Sequence, residues 1–435
     1  MRAQAICLHY SNPLLINLCE AVTSINYSVP VPSMNVVLLR SPPAENRLPA
    51  VFDGRVARVA VFDDMAAVAP HWLALESAGA LATPYQRHDF LALWQRHIGT
   101  TIGVSPCIVV AFNAGGTPLF LWPFGVRRIA GLRVAEFLGG KHANFNMGLW
   151  RREVAGKIGA DDLSAALAPL AEHADAVTLV NQPLTWGGTT NPFALLPHQR
   201  SANFGFSGAL VSDFEALLRA RTNAAGRKKM RKKERTLAGY GDVRFARAGN
   251  ADEVRWVLDA FFKQKATRMR TMGIHDAFGE PGVRRFIEAA ATECDADAAP
   301  PVELYALSVG DIIVATMGGM IGGGRFCAMF NSIAPGRFAV ESPGEQLIVR
   351  LVRQCCERGL TSFDLGIGNA RYKTLFCGDA EPLFDSYLPL TGRGRAGSFA
   401  FAGASAIKRV IKQHAPLWGL VRALRRLRAR LSAEP

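Results

Sequence analysis

Twice along this chain of 435 residues the same succession of local patterns appears: a helix, a meander of three strands, a second helix and a further strand. That order constrains the fold more than any single motif, because it sets helices against a sheet whose strands are mostly antiparallel neighbours. In the first occurrence, "PYQRHDFLALWQRHIG" (84–99) places Phe90, Leu91, Trp94 and Ile98 on one helical face. Strand-like runs follow at 106–113, 117–126 and 132–139, the first two joined by Ala114-Gly115-Gly116, a hairpin signal. An amphipathic helix is predicted over 161–174 and a strand over 175–182. In the second occurrence, helices are expected at 251–268 and 281–292 and strands at 302–309, 312–321 and 325–332. A helix at 343–359, a strand at 361–366, a short helix at 370–376 and a last strand at 382–390 complete it.

The halves do not align by eye, so the duplication rests on element order alone. The expected architecture is α/β, two related domains, each a mixed, mainly antiparallel sheet flanked by helices. Residues 1–50 read as a disordered lead-in, 51–200 as the N-terminal domain, 201–392 as the C-terminal domain and 393–435 as a basic amphipathic tail. The Pro-, Gly- and Asn-rich stretch 183–205 reads as the connection between halves.

Hydrophobic residues make up 49% of the chain, enough for sizeable cores. Fifty basic residues against 36 acidic ones favour anionic partners without choosing among nucleic acid, a membrane surface or a phosphorylated ligand. The eight cysteines form no Cys-x-x-Cys pair and read as free thiols of a reducing cytoplasm. The nine histidines form no His-Glu-x-x-His motif and no cluster with cysteine, so no metal is expected. No apolar run reaches the length of a membrane span, and the first residues make a poor signal peptide, which points to a cytoplasmic protein.

Ser342-Pro343-Gly344-Glu345 matches a capping box, with proline at the first helical position. Leu347, Ile348, Leu351, Val352 and Cys355 then form one apolar stripe, and Gly359 is a stop signal. The bare N–H groups at such a helix start suit a pyrophosphate, and Gly344 permits close approach. An ordinary cap, in which Ser342 occupies one of those donors, is the competing reading.

The stretch "ESPGEQLIVRLVRQCCERGLTSFDLGIGNARYKTLF", with the preceding meander, resembles the GNAT acyltransferases, and in particular their CelD-like branch. That branch is associated with bacterial polysaccharide synthesis and is distantly related to Fem-type peptidyl transferases. The basic "RTNAAGRKKMRKKERTLAGYGDVRF" and "PYQRHDFLALWQRH" fit the same pattern, and the resemblance covers about residues 70–392. The usual pyrophosphate loop of the superfamily is replaced here by Ser-Pro-Gly-Glu, so acetyl-CoA as donor is implied by the family and not read from a motif. The resemblance implies transfer of an acyl group from a thioester to an amine or hydroxyl of a sugar- or envelope-related acceptor.

Under that implication the candidate catalytic residues are Tyr372 as acid for the departing thiolate, and Asp364 or Glu341 as base. Backbone N–H groups around Met329 to Asn331 are the candidate oxyanion donors. The cofactor-binding candidates are Asn331, Ser342, Gly344, Glu345, Arg371 and Lys373. The acceptor-binding candidates are Gln86, Arg87, Lys141, His142, Asn144 and Asn146, polar groups set among aromatics. A core tyrosine, a buried structural aspartate, solvated surface lysine and arginine, and ordinary turn chemistry are the respective competing readings.

Residues 219–235 carry nine Arg or Lys against one Glu, without interleaved aromatics for base stacking. A solvated face, a tRNA-linked or nucleotide-linked substrate, and an anionic membrane all fit such a run. The tail 407–431 has no acid and sets Trp418, Leu420, Val421, Leu424 and Leu427 among arginines, a pattern of helices that lie on membranes or pack back on their own protein. DNA is not expected as a partner. An aminoacyl transferase using charged tRNA, and a non-catalytic adaptor that binds membrane or nucleic acid, stand as the alternatives.

Overall fold

The computed structural model describes residues 55–294, 299–368, 373 and 375–414. The predicted lead-in 1–50 lies outside them, as does the tail beyond His414. The first half begins with β1 (Arg58–Phe62), α1 (Met65–Ser77) and α2 (His88–Trp94). The meander β2 (Ser105–Phe112), β3 (Pro118–Ile129) and β4 (Leu132–Phe137) follows, with a short β5 (Leu149–Trp150) beside β3. Next come α3 (Arg152–Ala155), α4 (Ala160–Leu167) and β6 (Ala176–Pro183), and β6 lies parallel to β4. A small hairpin, β7 (Thr185–Trp186) and β8 (Thr189–Thr190), leads to β9 (Gln199–Ala209).

The second half follows α5 (Phe214–Arg221) and α6 (Ala224–Ala238), and it repeats the order. It runs β10 (Val243–Arg247), α7 (Ala251–Met272), α8 (Val283–Thr292), then β11 (Glu303–Val309), β12 (Ile312–Gly322) and β13 (Arg325–Ile333). The crossover helix α9 (Pro343–Glu357) returns the chain to β14 (Ser362–Ile367), parallel to β13, before β15 (Asp379–Pro389) and α10 (Gly392–Gln413). Both predicted meanders and both crossovers are present. The strand that opens each repeat was not legible in the sequence, and β1 and β10 prove to be the two edges of the sheet. Short edge strands such as Val-Arg-Phe-Ala-Arg, half-exposed and charged, carry little hydrophobic alternation to read.

The repeats do not make two separate sheets. One path runs β1-β2-β3-β4-β6-β15-β9-β14-β13-β12-β11-β10, because the halves exchange their last strands. β15 of the second half pairs with β6 of the first, and β9, which follows the first half, pairs with β14 of the second. The expected boundary at 200/201 therefore falls inside β9, and the stretch read as a connection contributes a central strand. Gly208 shows how close this packing is, since a Cβ there would lie 1.8 Å from the Phe376 carbonyl oxygen.

Two apolar clusters sandwich the sheet. One joins the first half to α7 and α8 through Phe90, Phe286 and Phe261, and the other sets the stripe of α9 against β11–β14. Leu347, Ile348, Leu351, Val352 and Cys355, the predicted stripe, are all buried there.

Candidate active site

Parallel β13 and β14 stay paired over only three positions, Arg325–Cys327 against Ser362–Asp364, and then part. Two local devices drive them apart. On β13, Gly318 faces Phe330 while Gly319 faces Ala328, which leaves Met329 as the extra residue of a bulge. On β14, an Asp364 carboxylate oxygen accepts the Gly366 N–H at 2.7 Å, and Gly366 takes φ +71°, where glycine is favoured. Between the parted strands lies a cavity of about 210 Å³. Ala328–Asn331 line one wall and Leu365–Ile367 the other, with Lys265, Lys373 and Asn144 at its polar points.

Gly366 has no room to vary. A Cβ there would sit 2.6 Å from the Asn144 amide nitrogen and 3.0 Å from the Ala328 carbonyl oxygen. Gly366→Ala is expected to lower thermal stability, through a strained φ and overpacking that together cost about 2–4 kcal/mol, and to narrow the cavity. A melting curve superimposable on wild type would contradict this.

Two lysines reach the cavity from opposite sides. Lys265 on α7 donates to the Asn331 carbonyl at 3.2 Å, and its ammonium lies 5.0 Å from the Phe278 ring centre. Burial brings its pKa down to about 8, with Arg268 adding to the shift and Asp276 opposing it. Lys373 donates to the carbonyls of Gly366 and Ile367 at 3.1 and 2.8 Å. Burial brings it down to about 8 as well, against the attraction of Asp364. Both lysines therefore exchange their proton close to neutrality.

Behind the point of divergence sits a buried ionic cluster. Arg325 donates to Asp364 at 2.8 Å and forms a fork with Glu381 at 2.9 and 2.8 Å. Its guanidinium stacks on Trp186 at 4.4 Å, and Ser207 donates to Glu381 at 2.7 Å. Burial raises the pKa of the Asp364 carboxyl, and Arg325 is the largest opposing influence. Burial alone would lower Arg325, but Asp364 and Glu381 outweigh it and hold the guanidinium charged. The three side chains tie β13, β14 and β15 together at the root of the gap.

A scan against family models matches residues 224–374 to an acetyltransferase (GNAT) domain. This part of the chain is a GNAT acyltransferase domain. Its repeat, bulge and parted parallel strands all fall within the matched residues or directly continue them. No curated protein matches the chain. Among solved structures, FemX is similar at 11% identity and TM-score 0.47, covering 73% of this chain and 95% of that one. The C-terminal domain of a putative lysylphosphatidylglycerol synthetase from Agrobacterium fabrum shows 11% identity and TM-score 0.46, over 77% and 96%. A tandem GNAT protein from the clavulanic acid biosynthesis pathway shows 11% and 0.42, over 77% and 98%.

The first half has the matching notch but fills it. β4 and β6 are likewise paired over three positions, Val134–Glu136 against Ala176–Thr178. Beyond them Asn146, in the loop after β4, lies on β6 instead, its backbone N–H to the Asn181 carbonyl at 3.1 Å and its side chain to the Val180 carbonyl at 3.0 Å. Phe145 is fully buried beside it. Only the GNAT domain keeps its notch open, and Asn144 of the same loop closes one end of it by donating to the Ala328 carbonyl at 2.9 Å.

The predicted site residues distribute unevenly over this geometry. Asn331, Lys373 and Asn144 line the cavity. Lys373 is buried, unlike the solvated surface charge of its competing reading, and its ammonium holds the β14 backbone. Asp364 lies behind the cavity wall, fully buried and engaged by Arg325 and Gly366, so its place is that of a positioning residue and not a base in the cleft. Tyr372 and Arg371 lie outside the described residues.

The capping box at α9 is absent. Ser342 adopts φ +53°, and its hydroxyl accepts from Lys233 at 2.5 Å, while Glu345 lies 3.9 Å from the same ammonium. The Ser342 side chain caps no helix N–H; its carbonyl instead accepts from Glu345 and Gln346 at 3.0 and 3.2 Å, and Pro343 has no N–H to offer. Gly344 makes its close approach to β13, where a Cβ would stand 3.0 Å from Ile333. Glu341 contributes its carbonyl, which accepts from Gln346 at 3.1 Å.

The remaining acceptor candidates bond within the first half or, for Lys141 and His142, reach across to the second. Gln86 is buried and bonds Thr83 and the Phe145 carbonyl. Arg87 pairs with Asp89 and Lys141 with Glu280. His142 accepts from Trp94 at 3.1 Å, and burial, aided by Lys141, lowers its pKa to about 4, so it stays neutral. Lys265 escaped sequence analysis because it lies within the predicted helix 251–268, where no motif marks it. Its spacing carries no signal until α7 is laid against the bulge.

Among the described residues no group of three or more His, Cys, Asp or Glu side chains is placed to hold a metal, and no helix is long and apolar enough to cross a membrane.

Proposed function

We propose that the protein transfers an acyl group, acetyl in the simplest case, from acyl-CoA to an amine or hydroxyl of a sugar- or envelope-related acceptor. The observation that carries this reading is the open notch between β13 and β14 with Lys265 at its wall. The acyl donor enters as substrate, with its thioester between the parted strands. The unpaired bulge at Met329 leaves backbone N–H groups of β13 available to an oxyanion, as no ladder partner competes for that residue. Lys265, neutral in a substantial fraction of molecules at pH 8, takes the proton of the attacking nucleophile. Lys373 and Asp364 keep β14 apart from β13 and so hold the two reacting groups in line. The start of α9, where the Gly344 N–H lies in the first turn and Lys233 stands beside Ser342, is the place for the donor's phosphates. A role in polysaccharide synthesis, in the cytoplasm, fits the CelD-like sequence pattern.

Thermal shift tests donor binding without knowledge of the acceptor. Acetyl-CoA at a hundredfold excess over its Kd is expected to stabilise the folded chain by about 2.7 kcal/mol. No shift with acetyl-CoA or a longer acyl-CoA would remove this reading. One observation favours a second: α6 exposes Lys228, Lys229, Arg231, Lys232 and Arg235 close to the start of α9. Binding of charged tRNA with a steep salt dependence, in place of a response to acyl-CoA, would move the assignment to an aminoacyl transferase.

A further inference from the structure

The outer face of α10 is apolar where a surface helix is ordinarily polar. Its inner face packs on the centre of the sheet. Gly394 and Gly397 are buried, and a Cβ on Gly394 would stand 1.7 Å from the Asp175 carbonyl oxygen. Further along, Ser405 donates to Asp385 at 3.1 Å, Arg409 to the Arg200 carbonyl at 2.8 Å and Lys412 to Asn203 at 2.6 Å. These contacts fix which face looks outward. On that face Ala396, Phe399, Gly403, Ile407 and Val410 recur at helical spacing, with Phe399 80% exposed and Ile407 and Val410 each 54% exposed. The helix is about 33 Å long, so the stripe is a line and not a spot.

The charge around this stripe identifies what covers it. From Ser386 to Ala433 the sequence holds no Asp or Glu, while Arg393, Arg395, Lys408, Arg409, Lys412 and five arginines from Arg422 to Arg430 are all basic. Arg393 and Lys408 are exposed on α10 itself. An apolar line on an acid-free basic segment is complementary to an anionic bilayer surface, where acyl chains take the apolar side chains and lipid phosphates take the ammonium and guanidinium groups. A second protein copy offers the same cations to the same cations, which disfavours self-association through this face.

We propose that the Phe399–Ile407–Val410 face of α10 is a docking surface for anionic phospholipid bilayers, which seats the protein on a membrane without crossing it. This places the acyltransferase domain beside lipid-linked acceptors, though the docking itself stands independently of the reaction.

The test is co-sedimentation of the full chain with vesicles of phosphatidylcholine alone or mixed with phosphatidylglycerol. The full chain is expected to bind the mixed vesicles, to release them in high salt, and to ignore phosphatidylcholine. The triple variant Phe399→Ser, Ile407→Ser, Val410→Ser removes only exposed side chains, so the fold is retained, as a thermal melt verifies. It is expected to lose roughly tenfold or more in vesicle affinity. Triple-variant binding equal to wild type would overturn the proposal and leave the basic segment beyond His414 as the sole anchor. Absence of wild-type binding, or a dimer in solution that the triple variant converts to monomer, would also overturn it.

Discussion

Lys265→Met is expected to lower kcat/KM for acyl transfer by about 10²–10⁴-fold, the range of a lost general base. The wild-type rate should rise with pH and level off above about 8, because burial sets the Lys265 pKa there and only the neutral amine accepts a proton. Lys265→Arg separates two roles. Arginine retains the charge beside Asn331 but does not deprotonate in this range, so it should be as inactive as methionine if Lys265 is the base. An arginine variant with wild-type activity would assign Lys265 to charge stabilisation instead. Before the acceptor is known, slow hydrolysis of acetyl-CoA by the enzyme serves as the readout. The same lysines give a stability signature. In the folded state Lys265 and Lys373 lose their protons near pH 8, well below the value of an unfolded lysine. The unfolded chain then binds more protons between those limits, so their contribution makes stability rise with pH across that window.

Arg325→Met is expected to destabilise the fold by about 3–5 kcal/mol, the cost of leaving buried carboxylates without their partner. Asp364 is fully buried and would keep the Gly366 N–H as a hydrogen-bond donor, while half-buried Glu381 would keep Ser207, so the cost falls mainly on Asp364. It also removes the stacking on Trp186. A urea titration monitored by circular dichroism measures the change. A loss below about 1 kcal/mol would mean that the cluster behaves as an exposed ion pair and does not brace the parted strands.

Much of the second half was legible before any coordinates. The α9 stripe, the three strands of the meander and the crossover follow from periodicities of 3.6 and 2, which report burial directly. The edge strands β1 and β10 escaped because few of their side chains meet a core. The central strand β9 escaped for a different reason. Its polar, glycine-bearing sequence is extended because β14 and β15 supply hydrogen-bond partners on both sides, a non-local cause. Ser342 illustrates a motif overridden by tertiary context, since Lys233 from α6 holds its hydroxyl away from the helix it was expected to cap. Among the acceptor candidates in 139–150, Asn144 and Asn146 bind backbone carbonyls within the protein, while Lys141 and His142 bind side chains. A buried amide and a ligand-binding amide have the same sequence signature.

The sequence by itself determined the two repeated units, their mixed sheets and the helical stripe that packs them, because each depends on neighbours a few residues apart. Tertiary structure alone decided that the units exchange strands into one sheet, that β13 and β14 part around an open notch, and that Lys265 from α7 meets β13 while Lys373 meets β14 at that notch. Most of those outcomes depend on contacts between residues distant in the chain, and on desolvation, which no local pattern encodes.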